Sequence, residues 1–187
     1  QPRMKNQSAA SQDQRQSLAR LDKQHLWHPF TPMRQWCAEE HEPLVLMQGR
    51  GCVLVDHEGR EHLDGNSSIW TNVHGHGHPA ITAAMKSQLD RAAHTSFLGF
   101  TNEPAIRLAK ELVDLFPGGK LSRVFYSDDG STAIEVAVRV ALQYWRQNGS
   151  PQKKVIVAFD RAYHGDTLGA ASLGGIPLFA GAANELG

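Results

Sequence analysis

The chain has 187 residues, 41% of them hydrophobic, and its 19 Lys and Arg balance its 19 Asp and Glu. That length holds one core or part of a larger one, and the balanced charge, with no basic run interleaved with aromatics, argues against a nucleic-acid or acidic-membrane surface. Cys37 and Cys52 lack a CxxC spacing, which argues against a disulfide framework or cysteine zinc site; the absence of a membrane-length apolar run or signal-peptide core fits a soluble, cytoplasmic protein.

Residues 1–17 are rich in Gln, Ser, Asn and Arg, offer almost nothing to bury, and read as a flexible tail. From Leu18 the character changes. Leu26-Trp27-His28-Pro29-Phe30-Thr31-Pro32-Met33 places two aromatics and two prolines in eight positions. The prolines favour an extended path, and the aromatics suit either a pocket wall or ordinary core packing. Residues 44–47, 52–55 and 61–64 read as hairpin strands, the last two joined by the turn Asp56-His57-Glu58-Gly59.

Asn66-Ser67-Ser68-Ile69-Trp70 leads into Val73-His74-Gly75-His76-Gly77-His78-Pro79. Histidines at alternate positions would share one face if extended. No nearby Asp or Glu completes a ligand set, and the glycines favour a bent loop, so no metal is assigned.

Apolar residues three and four apart predict two helices. One is opened by Pro79, with Ile81, Ala84, Met85 and Leu89 on one face. The other follows Thr101-Asn102, has Pro104 in its first turn, is striped by Ile106, Ala109, Leu112 and Phe116, and ends at Pro117-Gly118-Gly119. Gly118-Gly119-Lys120 lacks the remainder of a P-loop.

Val124-Phe125-Tyr126 reads as a strand that stops at Ser127-Asp128-Asp129-Gly130, after which Ser131 and Thr132 open a long helix. Its apolar face carries Ile134, Ala137, Val138, Ala141 and Trp145, Glu135 and Arg139 form an i,i+4 pair, and Asn148-Gly149-Ser150-Pro151 stops it. Such a junction leaves N–H groups unpaired at the positive end of the helix. Gly130 can adopt a backbone geometry that other residues resist, and the hydroxyls of Ser131 and Thr132 can donate to an anion. The alternative is an ordinary N-cap.

The apolar run 155–159 reads as a buried parallel strand, giving strand–helix–strand with a right-handed crossover. It runs out into Tyr163-His164-Gly165-Asp166-Thr167. Two loops then lie at the carboxyl edge of one α/β sheet, where such sheets bind ligands. One offers an anion cradle, the other a ring, an imidazole and a carboxylate, a set suited to a flat phosphorylated ligand. His164 and Asp166 could also form a hydrolase pair, but no Gly-x-Ser-x-Gly elbow accompanies them.

From about Leu21 to Phe179 the chain resembles the class III aminotransferases, pyridoxal-phosphate enzymes of fold type I, the aspartate aminotransferase-like fold. The resemblance is carried by Leu26-Trp27-His28-Pro29-Phe30-Thr31, Asp129-Gly130-Ser131-Thr132-Ala133-Ile134-Glu135-Val136-Ala137, Ala162-Tyr163-His164-Gly165-Asp166-Thr167 and Gly174-Gly175-Ile176-Pro177-Leu178-Phe179. The first and last favour the biotin-synthesis branch. The resemblance implies an incomplete, mostly parallel sheet with flanking helices after a β-rich amino-terminal segment. Residues 18–78 would belong to the small domain and 79–187 to the first part of the cofactor-binding large domain.

It also implies that Gly130 and Ser131 hold the phosphate of pyridoxal 5'-phosphate with Thr132 close by, that Tyr163 stacks on its ring beside His164, and that Phe30, Trp70 and Tyr163 line the substrate pocket. Some members have Tyr at the Phe30 position and Trp-Trp where this chain has Ile69-Trp70. The implied substrates are S-adenosylmethionine and 8-amino-7-oxononanoate, in a cytoplasmic homodimer. Another ω-amino acid or diamine transaminase, or a non-catalytic binding fragment, is the alternative. None of Lys5, Lys23, Lys86, Lys110, Lys120, Lys153 or Lys154 matches the family's Schiff-base lysine, so the chain is expected to be an amino-terminal portion that is inactive alone.

Overall fold

A computed structural model of the protein describes residues 18–176, which fall into two compact units divided between Thr95 and Ser96. The tail expected over 1–17 and Pro177-Leu178-Phe179 lie outside the described residues.

The first unit begins with helix α1 (residues 18–25) and the short α2 (Met33–Trp36). Between them the proline-rich segment is tied back by one carboxylate. Asp22 accepts the Trp36 indole N–H at 2.7 Å and pairs with His28 Nε2 at 3.0 Å. Lys23 donates to the carbonyls of Ala38 and His41, closing the following loop.

The expected hairpins form one antiparallel meander: β1 (Leu46–Arg50), β2 (Val53–Asp56) and β3 (Glu61–Leu63), in the order β1-β2-β3. Register sets Val53 opposite both Arg50 and Leu63. The turn after β2 is built on Asp56, which is 2% exposed. Its carboxylate accepts the N–H groups of Glu58 and Arg60, Arg60 Nε at 2.7 Å and His62 Nε2 at 2.8 Å. Gly59 supplies the left-handed residue of the turn, at φ +81°.

A single turn, α3 (Ser67–Trp70), follows, then α4 (Pro79–Arg91), with Pro79 at its start as its sequence indicates. The α3 turn is wound left-handed, with φ between +49° and +67° at all four residues. Ile81, Met85 and Leu89, the expected inner face of α4, are exposed among the described residues.

In the second unit α5 (Glu103–Asp114) starts as expected, with the Asn102 side chain accepting the Ala105 N–H and Pro104 in the first turn. A 3₁₀ turn (Pro117–Gly119) ends it. Helix α6 (Gly130–Gln147) is stopped at Asn148, with Gly149 at φ +72°. Lys153 then folds its ammonium over the Trp145 ring, 3.5 Å from the centroid. The short α7 (Leu168–Leu173) packs on α6 and buries Ala170 and Ala171.

The two expected parallel strands are not paired among the described residues. Residues 121–127 and 153–159 join no ladder, because a strand exists only with a hydrogen-bonded neighbour and neither segment has one among the described residues. Two strands linked by a helix need not be adjacent in a sheet. Their apolar side chains are correspondingly bare: Phe125 is 73% and Val157 91% exposed. Segment 121–127 is held instead through Tyr126, whose hydroxyl donates to the Ala105 carbonyl at 2.8 Å and whose ring stacks on Phe97.

Candidate functional site

The amino end of α6 is capped by Asp129, two residues before the serine that sequence reasoning weighed as a cap. Asp129 Oδ1 accepts the Thr132 N–H at 2.8 Å, and the Asp129 N–H donates to Thr132 Oγ1 at 3.0 Å. This reciprocal pair is a capping box. It absorbs the Thr132 hydroxyl, which also donates toward Asp129, so Thr132 shapes the helix end and its hydroxyl is not aimed at an anion. The Asp-x-x-Thr spacing was present in the sequence but was read only as the stop of a strand.

Gly130 also differs from expectation. It lies in helical geometry, with no positive φ, so its backbone freedom is unused. What it supplies is space: a Cβ there would meet nothing within 4 Å. Its N–H and that of Ser131 are the first-turn donors left over by the cap, at the positive end of an 18-residue helix.

Ser131 joins this helix end to the second loop. The Asp166 N–H donates to Ser131 Oγ at 3.1 Å, so the serine uses a lone pair there and keeps its own proton to donate elsewhere. The approach is close enough to require Gly165, which sits at φ +126°; a Cβ at that position would be 2.1 Å from Ser131 Oγ. The expectation that two loops converge is thus met within the second unit, through a direct hydrogen bond.

In that loop the Tyr163 hydroxyl donates to Asp166 Oδ2 at 2.5 Å. This bond, with smaller contributions from burial and the negative charge of Asp166, raises the phenol above its ordinary range. The carboxylate therefore serves Tyr163 and not His164, which removes the His164–Asp166 pair; His164 is half-buried beside them. Asp166, first read as a generic carboxylate, fixes the orientation of the aromatic ring.

Glu135 does more than pair along its own helix. The Arg139 charge one turn on helps to lower its carboxyl, and the carboxylate also accepts the Thr167 hydroxyl at 2.7 Å and the N–H groups of Gly169 and Ala170. It caps α7 from outside. The Thr167 hydroxyl first, and then these N–H groups against the opposing effect of burial, hold the Glu135 carboxyl below its usual range.

Phe30 and Trp70, expected to line a pocket, both lie in the first unit, exposed and in left-handed backbone geometry at φ +51° and +67°. The histidine loop does not form a common face. His74 and His78 meet edge-on at 5.9 Å, while His76 Nε2 turns to Asp64 at 2.7 Å. An acid does reach that loop, from twelve residues upstream in the folded hairpin. Among the described residues no cluster of three or more His, Cys, Asp or Glu could hold a metal, and no helix is long and apolar enough to cross a membrane.

Residues 36–177 match the aminotransferase class-III family. The chain is 52% identical over 166 residues to the adenosylmethionine-8-amino-7-oxononanoate aminotransferase of Geobacter sulfurreducens, covering 89% of this chain and 36% of that protein. It is 47% identical to the protein of the same name from Aquifex aeolicus, over 91% of this chain and 37% of the relative. The crystal structure of that aminotransferase from Methanocaldococcus jannaschii superposes with a TM-score of 0.86 at 41% identity, over 91% of this chain and 38% of the other. An (S)-enantioselective omega-transaminase from Thermomicrobium roseum gives 0.80 at 34% identity, over 88% and 36%. The chain thus spans about a third of the length of the curated relatives it matches.

Proposed function

The chain belongs to the class-III aminotransferases, and from that membership we propose that the full-length protein is a pyridoxal 5'-phosphate enzyme. In this reading it transfers an amino group from S-adenosylmethionine to 8-amino-7-oxononanoate, giving 7,8-diaminononanoate for biotin synthesis. The hydrogen bond from Asp166 N–H to Ser131 Oγ carries the cofactor assignment, because it unites a helix-end anion cradle with an aromatic loop. The fit is supported by the open space at Gly130 and by the spare proton of Ser131.

Gly130 and Ser131 bind the phosphate through their N–H groups and the serine hydroxyl, with Thr132 keeping the helix end in shape. When bound, the cofactor supplies an electron-withdrawing ring that stabilises the charge left as a proton leaves the amino-bearing carbon. Tyr163 stacks on that ring beside His164. Its phenol stays protonated at neutral pH and is oriented by Asp166, so the ring is held at one angle. Phe30, Trp70 and Tyr163 are each assigned to substrate binding. No lysine of this chain is assigned to bind the cofactor covalently. Residues 18–78 are assigned to the small domain and 79–187 to the large one, in a cytoplasmic homodimer.

An ω-amino acid or diamine transaminase is the second reading, favoured by the likeness to the Thermomicrobium roseum enzyme. Assay of the full-length protein with S-adenosylmethionine and 8-amino-7-oxononanoate, against a panel of ω-amino acids and diamines, separates them. Formation of 7,8-diaminononanoate as the preferred reaction is expected; faster turnover of a simple diamine or ω-amino acid would overturn the assignment.

A further inference from the structure

The left-handed turn α3 carries four consecutive non-glycine residues at positive φ, including the β-branched Ile69 at +58°. L-residues resist this geometry, and it persists only where neighbouring groups over-determine it. Those groups converge on one carboxylate. Asp64 Oδ1 accepts the Ser68 N–H at 2.8 Å, and Oδ2 accepts both the Ser68 hydroxyl at 2.8 Å and His76 Nε2 at 2.7 Å.

Each partner is itself anchored to the hairpin. The Asp64 N–H donates to the Cys52 carbonyl at 2.9 Å, and His76 exchanges two backbone hydrogen bonds with Gly51. The His76 ring lies so close over Gly49 that a Cβ there would be 2.7 Å from it. At the far end of this assembly Trp70 is 79% exposed, so the strained turn gains nothing from packing its largest side chain among the described residues.

We infer that Asp64 is a positioning residue for substrate recognition: with His76 and Ser68 it locks the left-handed turn that presents Trp70. The inference rests on the assignment of Trp70 to the substrate pocket. Asp64 acts through the backbone of Ser68 and touches no reacting atom. Its carboxyl is held below the ordinary range, first by the Ser68 N–H and next by His76, so the clamp is ionised at neutral pH. Asparagine in its place keeps one acceptor and loses the charge that holds His76 and Ser68 together.

The test uses the full-length, cofactor-loaded enzyme, with Asp64→Asn, the milder Ser68→Ala, Trp70→Ala and the two double variants with Trp70→Ala. Asp64→Asn is expected to raise KM for the amino acceptor about tenfold, with cofactor affinity and kcat near the parent values, and Ser68→Ala to raise it by less. In the Trp70→Ala background either change should alter KM by less than about twofold, because the clamp then has nothing to present. Should Asp64→Asn fail to fold, Ser68→Ala alone and with Trp70→Ala decide the matter. An unchanged KM in the clamp variants while Trp70→Ala raises it, or an equal rise with and without Trp70, would overturn the inference. An unchanged KM in Trp70→Ala itself would overturn both the inference and the pocket assignment beneath it.

Discussion

Asp56 organises its surroundings more than any other single residue. Four donors from Glu58, Arg60 and His62 converge on its carboxylate. Burial by itself would raise its carboxyl, but the hydrogen bonds from His62 and Arg60 and the N–H groups of the turn outweigh that and hold it far below the ordinary 3.8. The folded group therefore binds its proton less tightly than the unfolded one. Its contribution to stability is complete above pH 3.8 and is lost as pH falls through the lowered value. Asp56→Asn is expected to lower the melting temperature at pH 7 by about 5 °C or more, a gap that narrows as the pH falls below 3.8; melting curves across that range check it. The sequence marked Asp56 only as the first residue of a turn. Nothing in its local spacing announced that His62, six residues on in β3, would return to the same carboxylate.

The helices were legible because their signals are local: Asn102 and Pro104 start α5, and Asn148 and Gly149 stop α6 where the chain says they should. The strands at 121–127 and 153–159 were legible only as apolar runs, since pairing depends on neighbours that no local pattern names. The left-handed turn was not legible at all. Ser-Ser-Ile-Trp contains none of the glycine or asparagine that normally marks positive φ. The case of Glu135 shows tertiary structure adding to a helix rule and outweighing it. An exposed i,i+4 pair contributes only about 0.2–0.5 kcal/mol, while three donors at the start of α7 offer charge-assisted hydrogen bonds to the same carboxylate. Glu135→Ala should accordingly fray α7 and loosen the 163–167 loop. Amide hydrogen exchange of residues 166–171 in the full-length protein is expected to quicken by about tenfold or more, with α6 unchanged. Equal exchange in parent and variant would show that α7 is held by its alanine contacts on α6.

Over the whole molecule, the apolar side chains of Phe125, Val155, Val157 and Phe159 stand exposed, while the described core is little more than Ala19, Ala170 and Ala171. Among the described residues, candidate machinery is nevertheless assembled from distant sequence: Ser131 and Asp166, 35 residues apart, meet by a hydrogen bond at the end of α6. The motifs made that end visible in the sequence, although the division of labour was not. Asp129 and Thr132 maintain the helix end, leaving Ser131 as the hydroxyl free to donate. Ser131→Ala therefore removes no helix cap; it removes the phosphate contact together with the acceptor of the Asp166 N–H. The direct measurement is a pyridoxal 5'-phosphate titration of the full-length enzyme, comparing the parent with Ser131→Ala and Tyr163→Phe. Loss of one charge-assisted hydrogen bond, about 1.5–3 kcal/mol, should weaken cofactor binding by about tenfold to a hundredfold in Ser131→Ala, while Tyr163→Phe, which keeps its ring, binds like the parent. Parent-like binding by Ser131→Ala together with weakened binding by Tyr163→Phe would contradict the assignment of the cofactor site.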